Sequence, residues 1–309
     1  MKMSINGGLF PVSAIVPIRN GMEYLPEFLV KNDDLLSSMD EVIFVNDNSS
    51  DDTLIYLQTS SQGKKHVRVI DNHLPGLVNA LNLGIRSARN SWIARFDVDD
   101  IYSASRIESQ YKLVGSDVGV IFSDYETVDQ FNNTLGVITS PITSNLTLLS
   151  LVNSRRTPHP SALINREVFL EVGEYREDEY PVEDLGLWLR IAASGFQLVS
   201  APEILLTYRI HPSSISSMKQ IEMRKRKSEL IREYDFYPIF QNALKEWKND
   251  ISAISKTTHF SQRKFLSCVD FFAVSKRVSY KQLFKSLFHF LWVFVTLLDI
   301  AVVLSLIHI

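Results

Sequence analysis

The sequence predicts an α/β fold: a doubly wound, mixed but mostly parallel sheet flanked by helices, with a helical C-terminal appendage. Three observations carry this expectation. Short apolar runs alternate with helical periods through the first half of the chain. Acidic and polar residues gather just after those runs, where open α/β sheets place their ligands. Past Ser216 the strand signals stop and helical periods run to the end.

Residues 12–17 (VSAIVP) form an uninterrupted apolar run, the mark of a strand buried on both faces. Residues 23–36 carry helical spacing, and 41–45 (EVIFV) give the second strand. The polar cluster at 46–53 (NDNSSDDT) supplies capping residues for a helix over 52–60. A third strand at 67–71, a helix over 77–88 and a fourth strand at 92–96 (WIARF) continue the alternation. Further strands follow at 119–122, 162–165, 198–202 and 205–208. Residues 183–193 (EDLGLWLRIAA) predict a helix with carboxylates in its first turn and Gly195 as its C-terminal cap. Residues 219–227 (KQIEMRKRK) predict a basic helix.

A length of 309 residues suits one large domain, 1–216, with a helical region over 217–309. A net charge of -3 carries no nucleic-acid footprint. One cysteine, Cys268, excludes an intrachain disulfide framework and a cysteine-based zinc site. Residues 1–10 lack the apolar run of a secretory signal, which places the chain on the cytoplasmic side. Residues 287–303 are apolar but short for a membrane span, and Asp299 interrupts them. The last six residues, LSLIHI, read as a translated sequencing-library end, with the natural protein continuing differently past Val303. Together with the basic cluster Arg224 to Lys227, the apolar stretch suggests peripheral contact with the inner face of the cell membrane. The alternative is a solvated basic face and an ordinary packed helix.

The acidic clusters carry the chemistry. In Asp97-Val98-Asp99-Asp100, alternation along an extended chain puts Asp97 and Asp99 on one side, a site for Mg²⁺ or Mn²⁺. The ordinary alternative is a solvated loop capping the next helix. Asp47, at the end of the second strand, suits hydrogen bonds from a base or ribose, whereas Ser50 and Asp51 read as helix caps. Glu183 and Asp184 have two readings of equal standing: carboxylates favoured by a helix N-terminus, or a general base. His211 alone reads as a surface or packing residue, with a metal or phosphate contact as the alternative. Arg155, Arg156 and His159 read as a solvated loop, and diphosphate recognition by the arginines is the rival reading.

The blocks VSAIVPIRN, VNDNSSDDT, GLVNALNLGIRSARNSWIARFDVDD, PVEDLGLWLRIAASG and YRIHPSSIS resemble the family-2 glycosyltransferases, of GT-A fold and bacterial cell-surface polysaccharide type. They run from Val12 to Ser216, roughly two-thirds of the chain. The resemblance implies that Pro17 and Asn20 lie at the nucleotide base and ribose edge and that Asp47 binds the base. It implies that Asp97 contacts the ribose or the metal shell and that Asp99 binds the metal. It makes Asp184 the catalytic base, puts Glu183 beside it against donor or acceptor, and sets His211 on a loop closing over the donor. Asn46 stands where the family often has a second acid.

The reaction these roles imply is an inverting transfer from a nucleotide diphosphate sugar, UDP-linked by expectation, to a saccharide or lipid-linked hydroxyl. The rivals are a phosphatase of haloacid-dehalogenase type, whose Asp-x-Asp also comes after a strand, and a non-catalytic nucleotide-sugar-binding protein. A nucleotidyltransferase wants a glycine-rich basic loop after the first strand, which PIRNGMEYL lacks. A dinucleotide enzyme wants G-x-G-x-x-G after a strand, which is absent.

Overall fold

A computed structural model describes residues 8–140 and 158–234. Nine strands form one sheet in the order β3-β2-β1-β4-β8-β6-β9-β5, with β7 on β6. β1 (Phe10–Ile18), β2 (Met39–Asn46), β3 (Val67–Asp71) and β4 (Trp92–Arg95) pair in parallel. β8 (Leu163–Asn165) is antiparallel to both β4 and β6 (Val118–Asp129). β9 (Gln197–Ile210) runs parallel to β6 and antiparallel to β5 (Ile101–Tyr102), and β7 (Thr134–Ile138) hairpins back onto β6. The sheet is mixed but mainly parallel on its first side, as the alternation predicts.

Two apolar layers sandwich the sheet, so the central strands read as continuous apolar runs. Along β1, Ile15 enters one layer while Ala14 and Val16 enter the other. The first layer packs α4 (Leu77–Ser87), α6 (Arg166–Glu171) and α7 (Glu183–Ala193); the second packs α1 (Leu25–Lys31), α2 (Asp33–Ser37), α3 (Thr53–Ser60) and α5 (Arg106–Tyr111). α4 lies so close to β1 and β2 that a Cβ on Gly84 would come 2.6 Å from Ile15 Cγ2.

Two expectations change. The single helix over 23–36 divides at Asn32, whose side chain donates to the Phe28 carbonyl (2.9 Å) and accepts from the Tyr102 amide (3.2 Å). The two late strands are one, β9, because Pro202 and Glu203 sit in a register shift between Ser123↔Ala201 and Asp124↔Ile204. A bulge is where a strand tolerates a proline without an N–H. Packing continues just past Ser216. After α8 (Ile215–Met218), α9 (Gln220–Glu233) buries Leu230 in the same layer as Val182, Leu185 and Trp188. α9 is tied down further where the Tyr234 hydroxyl donates to Glu179 (3.0 Å) and Arg190 donates to that hydroxyl (3.2 Å). Gly195 closes α7 at φ +87°, with the Phe196 amide reaching back to the Ile191 carbonyl (3.3 Å).

Among the described residues no helix is long and apolar enough to cross a membrane. Cys268, residues 287–303 and the last six residues lie outside the described residues, as do Arg155 and Arg156.

Candidate active site

Pro17, Asn20, Asp47, Asp97, Asp99, Glu183, Asp184 and His211 all line one cleft of about 1240 Å³. They arrive from the ends of β1, β2, β4 and β9 and from the first turn of α7. Strand ends converge there because parallel strands point the same way and their following loops must turn at one edge.

At the β1 edge, Asn20 sits at φ +51° and its Oδ1 accepts from the Ser50 amide (2.7 Å) and hydroxyl (3.2 Å). Its own amide donates to Ser49 Oγ (3.0 Å). Asn20 therefore stitches the β1 loop to the β2 loop. Asp51 caps as expected, accepting from the Thr53 amide (3.1 Å), and it also holds the Met22 amide (3.3 Å). Asp47 is buried, and its carboxylate accepts from Asn72 Nδ2 (2.8 Å) and the Gly76 amide (2.9 Å). Those bonds fix Asp47 against the N-terminus of α4. Asn46 instead donates to Asp71 (2.9 Å), bracing β2 to β3.

The acids after β4 converge by a different route from the one expected. β4 stops at Arg95, and residues 97–100 turn rather than extend. The Asp97, Asp99 and Asp100 carboxylates still come together, with one oxygen of each within 4.8 Å of the others. Asp97 is ion-paired with buried Arg95. Burial raises its pKa, Arg95 opposes this, and the Asp99 charge adds to the rise. Asp100 is buried and accepts from the Arg209 amide (2.9 Å), which pins the end of β9 to the turn. Burial, then the Asp99 and Asp97 charges, pushes Asp100 well above the usual carboxyl range.

That pinning carries His211 to Asp99. His211 Nε2 lies 2.8 Å from Asp99 Oδ2, and Nδ1 lies 2.8 Å from Ser213 Oγ. The ring is buried against Tyr24, with centroids 5.1 Å apart. Of the two plain readings of His211, packing holds and surface exposure does not: the buried ring faces the acids across the cleft. The donor set suits a hard divalent ion, because three carboxylates and an imidazole meet where Arg95 offsets a single charge.

The opposite wall is α7. Asp184 Oδ1 accepts from the Leu185 amide (2.7 Å). Glu183 is buried, and its Oε2 has no hydrogen-bond partner among the described residues. Burial, then the Asp184 charge, pushes Glu183 up to about 8. An unfolded glutamate ionises near 4.5, so the folded chain holds an extra proton between pH 4.5 and about 8. The stability this contributes is complete below pH 4.5 and is lost as pH rises through that window. The melting temperature of wild type is expected to fall more steeply from pH 5 to pH 8 than that of Glu183→Gln. Parallel slopes would refute the neutral Glu183.

His159 is corrected too. It is no solvated loop residue: its Nε2 lies 2.7 Å from the Tyr175 hydroxyl and its ring packs edge-on to Trp188. Burial, then Arg95, drives its pKa well below the ordinary histidine value. Arg95 is the site residue that motif reading passes over. Its signal is a lone cation at the end of the apolar run WIARF, two residues before Asp97.

The fold is shared with solved glycosyltransferases. A mannosyltransferase from Pyrobaculum calidifontis, solved with GDP-Man and Mn²⁺, superposes with a TM-score of 0.58 at 16% identity, covering 89% of this chain and 83% of that one. TarS of S. aureus, residues 1–349 with UDP-GlcNAc, gives 0.56 at 18%, covering 75% and 71%. These likenesses show the GT-A fold. The family model for glycosyl transferase family 2 matches residues 13–173, and the chain belongs to that family.

The chain is 27% identical over 241 residues to an uncharacterised glycosyltransferase of Haemophilus influenzae, covering 72% of each. It is 25% identical over 240 residues to the UDP-Gal:alpha-D-GlcNAc-diphosphoundecaprenol beta-1,3-galactosyltransferase of Escherichia coli, covering 76% of this chain and 86% of that one. Uncharacterised glycosyltransferases of Rickettsia conorii and Rickettsia felis, 33% and 31% identical, are longer: the chain spans 31% and 34% of their length.

Proposed function

We propose that the protein transfers a sugar, with inversion, from a UDP-sugar to a hydroxyl of a saccharide or lipid-linked acceptor. The observation carrying this reading is the meeting of Asp47, Asp99, Asp184 and His211 in one cleft. UDP is favoured over other nucleotides because the E. coli relative is named for UDP-Gal and TarS was solved with UDP-GlcNAc. A place in cell-surface polysaccharide assembly, at the inner face of the membrane, is drawn from the acceptor in that E. coli name.

Asp47 and the β1 edge at Pro17 and Asn20 receive the base and ribose, Asp47 being already oriented by Asn72 and Gly76. Asp97, fixed by Arg95, would contact the ribose or the metal shell. Asp99 and His211 would hold Mg²⁺ or Mn²⁺, which when bound stabilises the charge of a departing diphosphate. Ser213 sets the His211 ring by its contact at Nδ1. Glu183, held neutral below pH 8, suits a hydrogen bond to a sugar hydroxyl. Asp184 takes the proton of the attacking acceptor hydroxyl. One base and one displacement from the face opposite the leaving group invert the anomeric carbon, by the logic of inverting glycoside hydrolysis.

The ion pair argues against the phosphatase alternative, because an aspartate nucleophile gripped by a buried guanidinium is deactivated. Thermal stabilisation by a panel of nucleotide sugars tests the reading. A rise in melting temperature with UDP-sugars that requires Mn²⁺ is expected. Hydrolysis of simple phosphate esters without such a rise would reject it.

A further inference from the structure

The first turn of α7 presents Glu183 and Asp184, yet Val182 at its N-cap supplies no side-chain cap. A helix start of that kind takes its position from what grips its flanks. Here the grip comes from Glu179, in the 3₁₀ turn Glu177–Glu179 just before the helix. Its carbonyl accepts from the Val182 amide (3.0 Å), and its side chain is buried. The carboxylate is ion-paired with Arg190 and accepts from the Tyr234 hydroxyl (3.0 Å).

Gly186 makes room for that carboxylate. Its φ is not positive, so the backbone alone asks for no glycine there. A Cβ at 186 would instead overlap both carboxylate oxygens of Glu179. Glu179 therefore lies against the helix backbone between Asp184 and Arg190. Arg190 is fixed in turn: its Nε donates to the Val172 carbonyl (3.0 Å), and its Nη atoms donate to the Glu174 carbonyl and the Tyr234 hydroxyl (3.2 Å). The wall carrying Asp184 is thus clamped to the turn before it, to the loop after α6 and to Tyr234, the C-cap of α9.

A buried ion pair adds little net stability over apolar residues of the same shape. What it does supply is geometry, because a planar guanidinium fork accepts few arrangements. Asp184 is where geometry matters. A general base must come within hydrogen-bond reach of its proton, and a misplacement of about 1 Å can cost about a hundredfold in rate.

We propose that Glu179 is a positioning residue for the base: its carboxylate, locked among Gly186, Arg190 and Tyr234, sets where Asp184 meets the acceptor hydroxyl. The inference rests on the reading of Asp184 as that base.

Two variants that leave Glu179 in place test it. Gly186→Ala pushes the carboxylate off the helix, and Tyr234→Phe removes one of its donors. Turnover is read as UDP release from UDP-Gal and UDP-GlcNAc with Mn²⁺, water serving as acceptor. Donor binding is read by calorimetry with UDP and Mn²⁺. Hydrogen exchange of the Leu185 amide, which donates to Asp184 Oδ1 (2.7 Å), reads the local geometry without substrate. Turnover is expected to fall by about 10- to 100-fold in Gly186→Ala and by about fivefold in Tyr234→Phe, the scale of one hydrogen bond. UDP affinity is expected to stay within about twofold. The Leu185 amide is expected to exchange faster in both variants, with the amides of β1 unchanged. On a Glu179→Ala background, Gly186→Ala is expected to cost no further turnover, because the carboxylate it displaces is gone.

Unchanged turnover in Gly186→Ala overturns the proposal, as does an unchanged Leu185 amide. Parallel losses of turnover, UDP affinity and β1 protection overturn it too, since Glu179 would then be a general prop. A further loss on the Glu179→Ala background does the same. If wild type releases UDP from neither donor, the reading of Asp184 as a base falls and takes the proposal with it. An unaltered Leu185 amide beside active wild type sinks the proposal alone.

Discussion

Asp184→Asn is expected to lower kcat by about 10²- to 10⁴-fold, the range for loss of a positioned general base, while UDP-sugar affinity stays within about twofold. The substitution keeps the shape of the side chain and an oxygen to accept from the Leu185 amide (2.7 Å). It removes a negative charge from the N-terminus of α7, which costs only about 0.3–1 kcal/mol of stability. The fold should therefore survive, and the defect should fall on turnover. Glu183 is a poor substitute, because its burial, the larger cause of its raised pKa, remains in the variant although the Asp184 charge is gone, and a protonated carboxyl takes no proton. Pre-steady-state turnover alongside calorimetric donor binding separates the outcomes. Parallel losses of donor affinity and kcat would make Asp184 a donor contact and leave the base unassigned.

The reach of the sequence is clearest where function and fold share one local cause. A carboxylate just past a parallel strand must lie at the ligand edge, so the place of Asp47 and Asp99 was legible from strand boundaries alone, whereas Asp184, in the first turn of α7, entered the reading through the family resemblance. His211 entered it the same way, and its contact with Asp99 had no local signal. The residue follows β9, a strand that carries Pro202 in a register shift, and it reaches Asp99 because Asp100 pins the Arg209 amide from 109 residues away. No local pattern records such a contact. His159 failed for the same reason: its burial comes from Tyr175 and Trp188, both brought in by α6 and α7. β5 and β7 were unreadable for another reason. β5 has two residues and takes its strand character wholly from β9, while β7 shows exposed Leu135 and Val137, so its alternation is weak. The Asn132 turn at φ +65° was the one available hairpin signal.

Asp99→Ala should weaken Mn²⁺-dependent UDP binding by about a hundredfold or more. Loss of a residue that merely supports a metal ligand typically costs about 10- to 100-fold, so loss of a ligand itself should reach at least the upper end. Asp99 is the acid whose Oδ2 faces His211 at 2.8 Å, whereas Asp97 is engaged by Arg95 and Asp100 by the Arg209 amide. Those two neighbours are therefore poorly placed to replace it. Stability should change little or rise, because removing one of three crowded carboxylates relieves repulsion that raises the pKa of both Asp97 and Asp100. His211→Ala should lose less affinity than Asp99→Ala, a neutral ligand contributing less attraction to a divalent cation than a carboxylate. Calorimetry with Mn²⁺ and UDP, run beside UDP alone in EDTA, reads the metal-dependent part directly. Undiminished Mn²⁺ enhancement in Asp99→Ala would move the ion to Asp97 and Asp100, and would leave His211 as a lid residue rather than a ligand.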